Sequence, residues 1–329
     1  MPSRVVTRAR PTRRQRGMAA NSSLPSLDSG LLDEPQLSAA LKSLELTVRR
    51  KLDGVLQGEH QGLIPGPGSE PGEARPYQPG DDIRRMEWPV TARTTQPHVR
   101  QMIADRELET WLVVDASASL DFGTVDHTKR ELAVAASSAI VHLTSGGGNR
   151  HGAIVCTGDK IVRVPAHAGR AHDLSLLKAI ATTRRAAPGV RGDLKAGLEA
   201  LRRPQRRRGL AVVISDFLGP IDWERSLRAI GAHHELLAIE VLDPRDLDLP
   251  PIGDVTLADA ESGEIRQVTI TDKLRRDFAD AARAHQQQVH RTIRSCGGPV
   301  LSLRTDRDWI NDMVKFVGRR RRGLAAGVG

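Results

Sequence analysis

WLVVDASAS, residues 111–119, decides the fold of this 329-residue chain. An apolar run of strand length breaks off into one carboxylate and two hydroxyls. A run apolar on both faces is what a strand buried between two layers requires. The pattern recurs in LAVVISD (210–216), which is continuous, β-branched and closed by Asp216. Around these two, apolar bursts alternate with helical periodicities. Strands are expected at 151–157, 160–165, 235–242 and 299–305, the second being the hairpin partner of the first around Gly158-Asp159. Helices are expected at 126–144, 171–182, 193–202, 222–231, 272–294 and 306–322. This βα succession predicts an α/β domain over 109–318, a mainly parallel sheet flanked by helices, with 254–271 as an inserted β-hairpin.

Upstream, Leu37, Leu41, Leu44, Val48 and Leu52 repeat every three or four residues, so 34–57 reads as an amphipathic helix with a face to bury. Residues 60–82 are dense in Gly and Pro and read as loop with short extended pieces at most, and 97–104 reads as a strand. Together 34–108 form an N-terminal extension. Residues 1–33 lack periodicity and are expected to be disordered, and 319–329 to be a basic tail. Met18, which opens a less basic stretch, is the expected start of translation.

The formal charge is +9, but it is unevenly placed. Six arginines lie in residues 1–20 and four more form Arg319 to Arg322; without those ten the remainder carries 9 − 10 = −1. Basic residues are 41 Arg and 8 Lys, a skew that GC-rich coding produces by itself. Aromatics are 3%, too few for stacking platforms on single-stranded nucleic acid. Two cysteines exclude a disulfide scaffold and a Cys-rich zinc module. No apolar run reaches the roughly 18 residues of a membrane helix, and no apolar segment follows the twin arginine at 13–14, so a cytoplasmic protein is expected. Phosphate-loop, nucleophile-elbow and aspartyl-phosphatase motifs are absent.

In an open parallel sheet, ligands bind beyond the carboxyl ends of strands where strand order reverses. If the strands ending at 115 and 215 flank that point, Asp115, Ser117, Ser119 and Asp216 converge. Two hydroxyls and two carboxylates suit a hard cation, Mg²⁺ or Mn²⁺. Ser and Asp after strands also serve as ordinary caps and turn residues.

VVDASASLDFG (113–123) resembles the Asp-x-Ser-x-Ser signature of von Willebrand factor A domains. RPYQPGDDIRRMEW (75–88) followed by TAR (91–93) is similar to the hallmark of the bacterial family called domain of unknown function 58, and GNRHGAIVCTGD (148–159) and VVISDFL (212–218) fit the same family. The resemblance implies a von Willebrand A-like fold and a MoxR-type AAA+ ATPase as partner; with no catalytic motif present, this chain is expected to be a non-enzymatic interaction protein, an adaptor or assembly factor for a client protein. It also implies a metal-ion-dependent adhesion site in which Ser117 and Ser119 bind the ion directly, Asp115 and Asp216 act directly or in support, and the partner supplies a carboxylate. One departure stands out: VRGDL (190–194) has Gly192 where the family commonly has threonine. Asp193 then either supplies an oxygen or caps the following helix. Tyr77, Pro79, Gly80, Asp81, Asp82, Arg84, Arg85 and Trp88 are either a turn locked onto the body or a partner-binding surface; a buried Trp88 favours the former. Two other functions fit less of the sequence: a nucleic-acid-associated protein using its arginine-rich ends, and a metal-dependent hydrolase centred on Asp115 and Asp216.

Overall fold

Residues 111–115 are the last five of β3 (Glu109–Asp115), all seven of whose residues are buried. In the computed structural model, residues 24, 25, 27, 32–56, 74–77, 86–100, 108–125, 127–184, 190–202, 208–259 and 264–326 are described. The elements around β3 are α1 (Glu34–Leu56), β1 (Ala74–Pro76), α2 (Trp88–Thr94), β2 (His98–Arg100), α3 (Lys129–Thr144), β4 (Arg150–Cys156), β5 (Ile161–Ala168), α4 (Arg170–Thr182), α5 (Leu194–Arg202) and β6 (Gly209–Ser215). There follow α6 (Glu224–Gly231), β7 (Glu235–Leu242), β8 (Gly253–Ala258), β9 (Ile265–Ile270), α7 (Asp272–Ser295), β10 (Val300–Arg304) and α8 (Trp309–Ala326).

The six-stranded sheet has the order β10-β7-β6-β3-β4-β5. Every pair is parallel except β4 with β5, which closes one edge as an antiparallel hairpin. From β3 the chain first builds outward through β4 and β5, then crosses to β6 on the other side. The reversal therefore falls between β3 and β6, as the strand endings imply.

Alternation along the buried strands divides two cores. Leu112, Val114, Val212 and Ile214 face α3 and the residues packed around it; Trp111, Val113, Ala211 and Val213 face α5, α6 and α7. Gly197 lets α5 sit directly on the sheet, because a Cβ there would lie 2.3 Å from Cys156 Sγ. Cys156 and Cys296 are free and buried.

The ends of the chain differ from expectation. Leu37, Leu41, Leu44, Val48 and Leu52 of α1 are buried, and α1 lies against α3, α4 and α8, so it is a further layer of the main core. Leu24 and Leu27 join that core, and the Leu27 N–H donates to Glu131 Oε1 at 2.9 Å. Both lie in the stretch expected to be disordered, and they are ordered instead because their apolar side chains have a surface to bury on. Residues 319–326 are not a tail: α8 continues through Ala326, and Arg320 bonds to Glu235 on β7. An arginine run is a good helix former and gives no stop signal, so the helix is not broken there.

The strand expected at 97–104 is seen at 98–100, antiparallel to β1, with 101–107 outside the described residues. The inserted hairpin is present as β8 and β9, paired from Gly253↔Ile270 to Ala258↔Ile265, and among the described residues these strands pair with no others. Among the described residues, no helix is long and apolar enough to cross a membrane.

Candidate functional site at the carboxyl edge of the sheet

β3 and β6 pair in register through Val114↔Ile214, so their next residues, Asp115 and Ser215, emerge side by side at the reversal. The Ser215 hydroxyl donates to Asp115 Oδ2 at 2.7 Å, and the Ser117 N–H donates to Asp115 Oδ1 at 2.9 Å. Ser119 follows on a short 3-10 turn, 118–121, and its Oγ lies 3.0 Å from Ser117 Oγ. Asp216 is the residue after Ser215, and its Oδ1 accepts the Leu218 N–H at 3.2 Å. The turn around it is tight: Phe217 holds φ +50, and its N–H donates back to Ser215 Oγ at 3.0 Å. Asp115, Ser117, Ser119 and Asp216 thus converge, and all four are buried.

A fifth group lies among them that the sequence reading missed. Lys129, the first residue of α3, is 0% exposed. Its ammonium donates to Asp216 Oδ2 at 2.9 Å and reaches both oxygens of Asp246, at 3.2 and 3.0 Å. The start of a helix is the wrong end of its dipole for a cation, so the two carboxylates must hold it there. Burial alone would push the Lys129 ammonium down, but Asp216 and Asp246 outweigh this and hold it above its ordinary value. Burial pushes the Asp115 carboxyl up, and the neighbouring Asp216 adds to the effect. Burial likewise raises Asp246. Cys156, beneath the same edge, has its thiol pushed well up by burial, then by Asp115 and Asp193, which makes it a poor nucleophile.

The surrounding loops are tied to the same framework. Asp243, at the end of β7, accepts from the Thr124 N–H at 2.8 Å, the Thr124 hydroxyl at 2.6 Å and the Thr305 hydroxyl at 3.0 Å. Arg130 donates to the Ala116 carbonyl at 3.0 Å and pairs with Asp121. Thr128 and Glu131 close a reciprocal capping box that starts α3 and orients Lys129 next to the cap.

Asp193 does not enter this cluster. It is exposed and caps α5, its Oδ1 accepting the Ala196 N–H at 2.8 Å. Beside it, Gly158 at φ +101 lets the β4–β5 turn meet the Arg191 carbonyl, where a Cβ would stand 2.1 Å away. Of the upstream motif, Tyr77 is half-buried and its N–H donates to the Pro97 carbonyl at 2.8 Å. Trp88 is 66% exposed. Pro79, Gly80, Asp81, Asp82, Arg84 and Arg85 lie outside the described residues.

The donor set does not fit a dication well. Both oxygens of Asp115 are engaged, Asp216 is bonded to an ammonium, and Asp193 is turned to its helix. Among the described residues, no group of three or more His, Cys, Asp or Glu is placed to hold a metal ion.

The family described as "Protein of unknown function DUF58" matches residues 73–288. The uncharacterized protein Rv1480 of Mycobacterium tuberculosis is 67% identical over 303 residues, which cover 92% of this chain and 96% of that protein. The uncharacterized protein MAV169 of Mycobacterium avium is 65% identical over 167 residues, covering 51% and 99%. Among solved structures, the conserved hypothetical protein BatB from Bacteroides thetaiotaomicron is similar at 14% identity and TM-score 0.40, covering 67% of this chain and 99% of that one. A von Willebrand factor type A protein from Catenulispora acidiphila is similar at 15% identity and TM-score 0.36, covering 68% and 44%.

Proposed function

We propose, on the premise that this chain belongs to the DUF58 family of proteins of unknown function, that it is a non-enzymatic interaction module. In this reading it acts in the cytoplasm as an adaptor between a MoxR-type AAA+ ATPase and a client protein. The ATPase partnership is what the family resemblance implies; the observation that carries a docking role is Trp88. A tryptophan locked in a structural turn buries its ring, yet Trp88 is 66% exposed and α2, which it opens, contains no buried residue. Large exposed aromatics at a protein surface are typical anchors of binding hot spots. A catalytic reading has less behind it, because the carboxyl, hydroxyl and ammonium groups at the sheet edge are already bonded to one another.

The test is capture of the purified MoxR-type ATPase by the immobilised full chain. Trp88→Ala is expected to weaken it by roughly thirtyfold, the equivalent of about 2 kcal/mol at a hot spot, while leaving the thermal midpoint of this chain unchanged. Equal capture by wild type and variant would remove Trp88 from the interface, and no capture by either would remove the ATPase.

In the metal-dependent version of the same reading, Ser117 and Ser119 would hold Mg²⁺ or Mn²⁺ for a partner's carboxylate. The paired hydroxyls at 3.0 Å favour it; the ammonium of Lys129 on Asp216 weighs against it.

A further inference from the structure

We propose that Lys129 is the resident cation of the sheet-edge cluster: its ammonium takes the place of a divalent ion, so the folded chain binds no Mg²⁺ or Mn²⁺ there. A cluster of carboxylates at a strand reversal needs positive charge, and a metal or a side chain can supply it. Here it is supplied by a side chain. Lys129 Nζ donates to Asp216 Oδ2 at 2.9 Å and to Asp246 Oδ1 at 3.2 Å, and it lies 3.0 Å from Asp246 Oδ2 as well, so the ammonium is held between two carboxylates. The group is completely buried, and Phe122 covers it with its ring centroid 5.8 Å from Nζ.

The placement is also fixed by the backbone, which a surface lysine free to swing out would not be. The Lys129 N–H donates to the Phe122 carbonyl at 2.9 Å, and the preceding Thr128 is locked in the capping box. Asp246 is held just as firmly, because its Oδ2 also accepts the Asp243 N–H at 2.8 Å. A dication seated on Ser117, Ser119 and Asp216 would have to share Asp216 with a fixed positive charge in a water-poor interior, where like charges repel strongly.

The inference concerns the same site as the metal-dependent version of the function but does not rest on Trp88 docking, and its readout is ion binding, not partner capture. The experiment is Mn²⁺ binding followed by electron paramagnetic resonance, with thermal melts in Mg²⁺ or EDTA as a second readout. Wild type at about 1 mM Mn²⁺ is expected to bind none at this site, and its midpoint to be indifferent to either addition. Lys129→Met is expected to gain a Mn²⁺ site that Ser117→Ala removes again, with affinity at least tenfold above that of wild type. Because that variant leaves two buried carboxylates without their cation, a Lys129→Met, Asp246→Asn double variant keeps the test readable if the single one does not fold. Mn²⁺ held by wild type and lost with Ser117→Ala would overturn the proposal. So would a folded variant lacking Lys129 that binds no more Mn²⁺ than wild type.

Discussion

Single side chains in this protein show how burial sets charge. His234 is 8% exposed, and its Nδ1 is buried with no hydrogen-bond partner. Burial first, then neighbouring His233, holds its imidazole below the ordinary value of 6.5, although Glu109 and the Gly209 carbonyl pull the other way. Below 6.5 the unfolded chain therefore takes up a proton more readily than the folded one. The stability His234 contributes is present above 6.5 and is lost as pH falls through its lowered folded value. Thermal melts across this range should show His234→Gln losing less of its midpoint on acidification than wild type does; parallel curves would contradict this. At this scale the sequence was half legible. Asp115, Ser117, Ser119 and Asp216 could be read because polar side chains directly after buried strands have one place to go. Lys129 could not, since a lysine next to a helix cap reads as solvent-facing; the available signal was its rarity in a chain with 8 Lys and 41 Arg.

Among the elements, the periodic helices and the apolar strands were legible, whereas α2 was not. α1 announced itself by its leucine spacing, and its buried stripe gives a direct test: Leu44, at 0% exposed, sits between α1 and the rest of the core. Leu44→Ala should cost about 2–5 kcal/mol, the range for a buried leucine whose cavity cannot fully collapse, and urea denaturation would measure it. A loss below roughly 1 kcal/mol would mean that α1 is only loosely seated. α2 was hidden because seven residues carrying Pro89, Val90, Thr91 and Thr94 have weak helical preference. Its conformation comes from β2 instead, where the His98 N–H donates to Thr91 Oγ1 at 3.0 Å and His98 Nδ1 lies 3.1 Å from Thr94 Oγ1. β5 ran longer than its apolar pattern, to Ala168, because pairing with β4 continues to Arg150↔Ala168 regardless of side-chain exposure.

Over the whole molecule, the charge of +9 no longer describes two free ends. Arg320 is consumed by Glu235 on the sheet, and α8 carries the arginine run on from Met313 and Val317, which are buried in the main core. Truncating before residue 319 would cut a helix that closes one face of the sheet, so it is unsuited as a probe of nucleic-acid binding. The six arginines of residues 1–20 lie outside the described residues and are the cleaner target.

The sealed position of Lys129 gives the chain its own unfolding gauge. Of the eight lysines only Lys129 is buried; the others are at least partly open to solvent. An amine-reactive label at a pH below the lysine range should therefore modify the other seven while sparing this one. Its slow modification would proceed only through openings that break the cluster, which joins the start of α3, the end of β6 and the turn after β7. Peptide mass spectrometry of Lys129 against added urea should follow the same curve as global unfolding by circular dichroism. Labelling well before that transition would reveal that the carboxyl edge opens as a unit of its own.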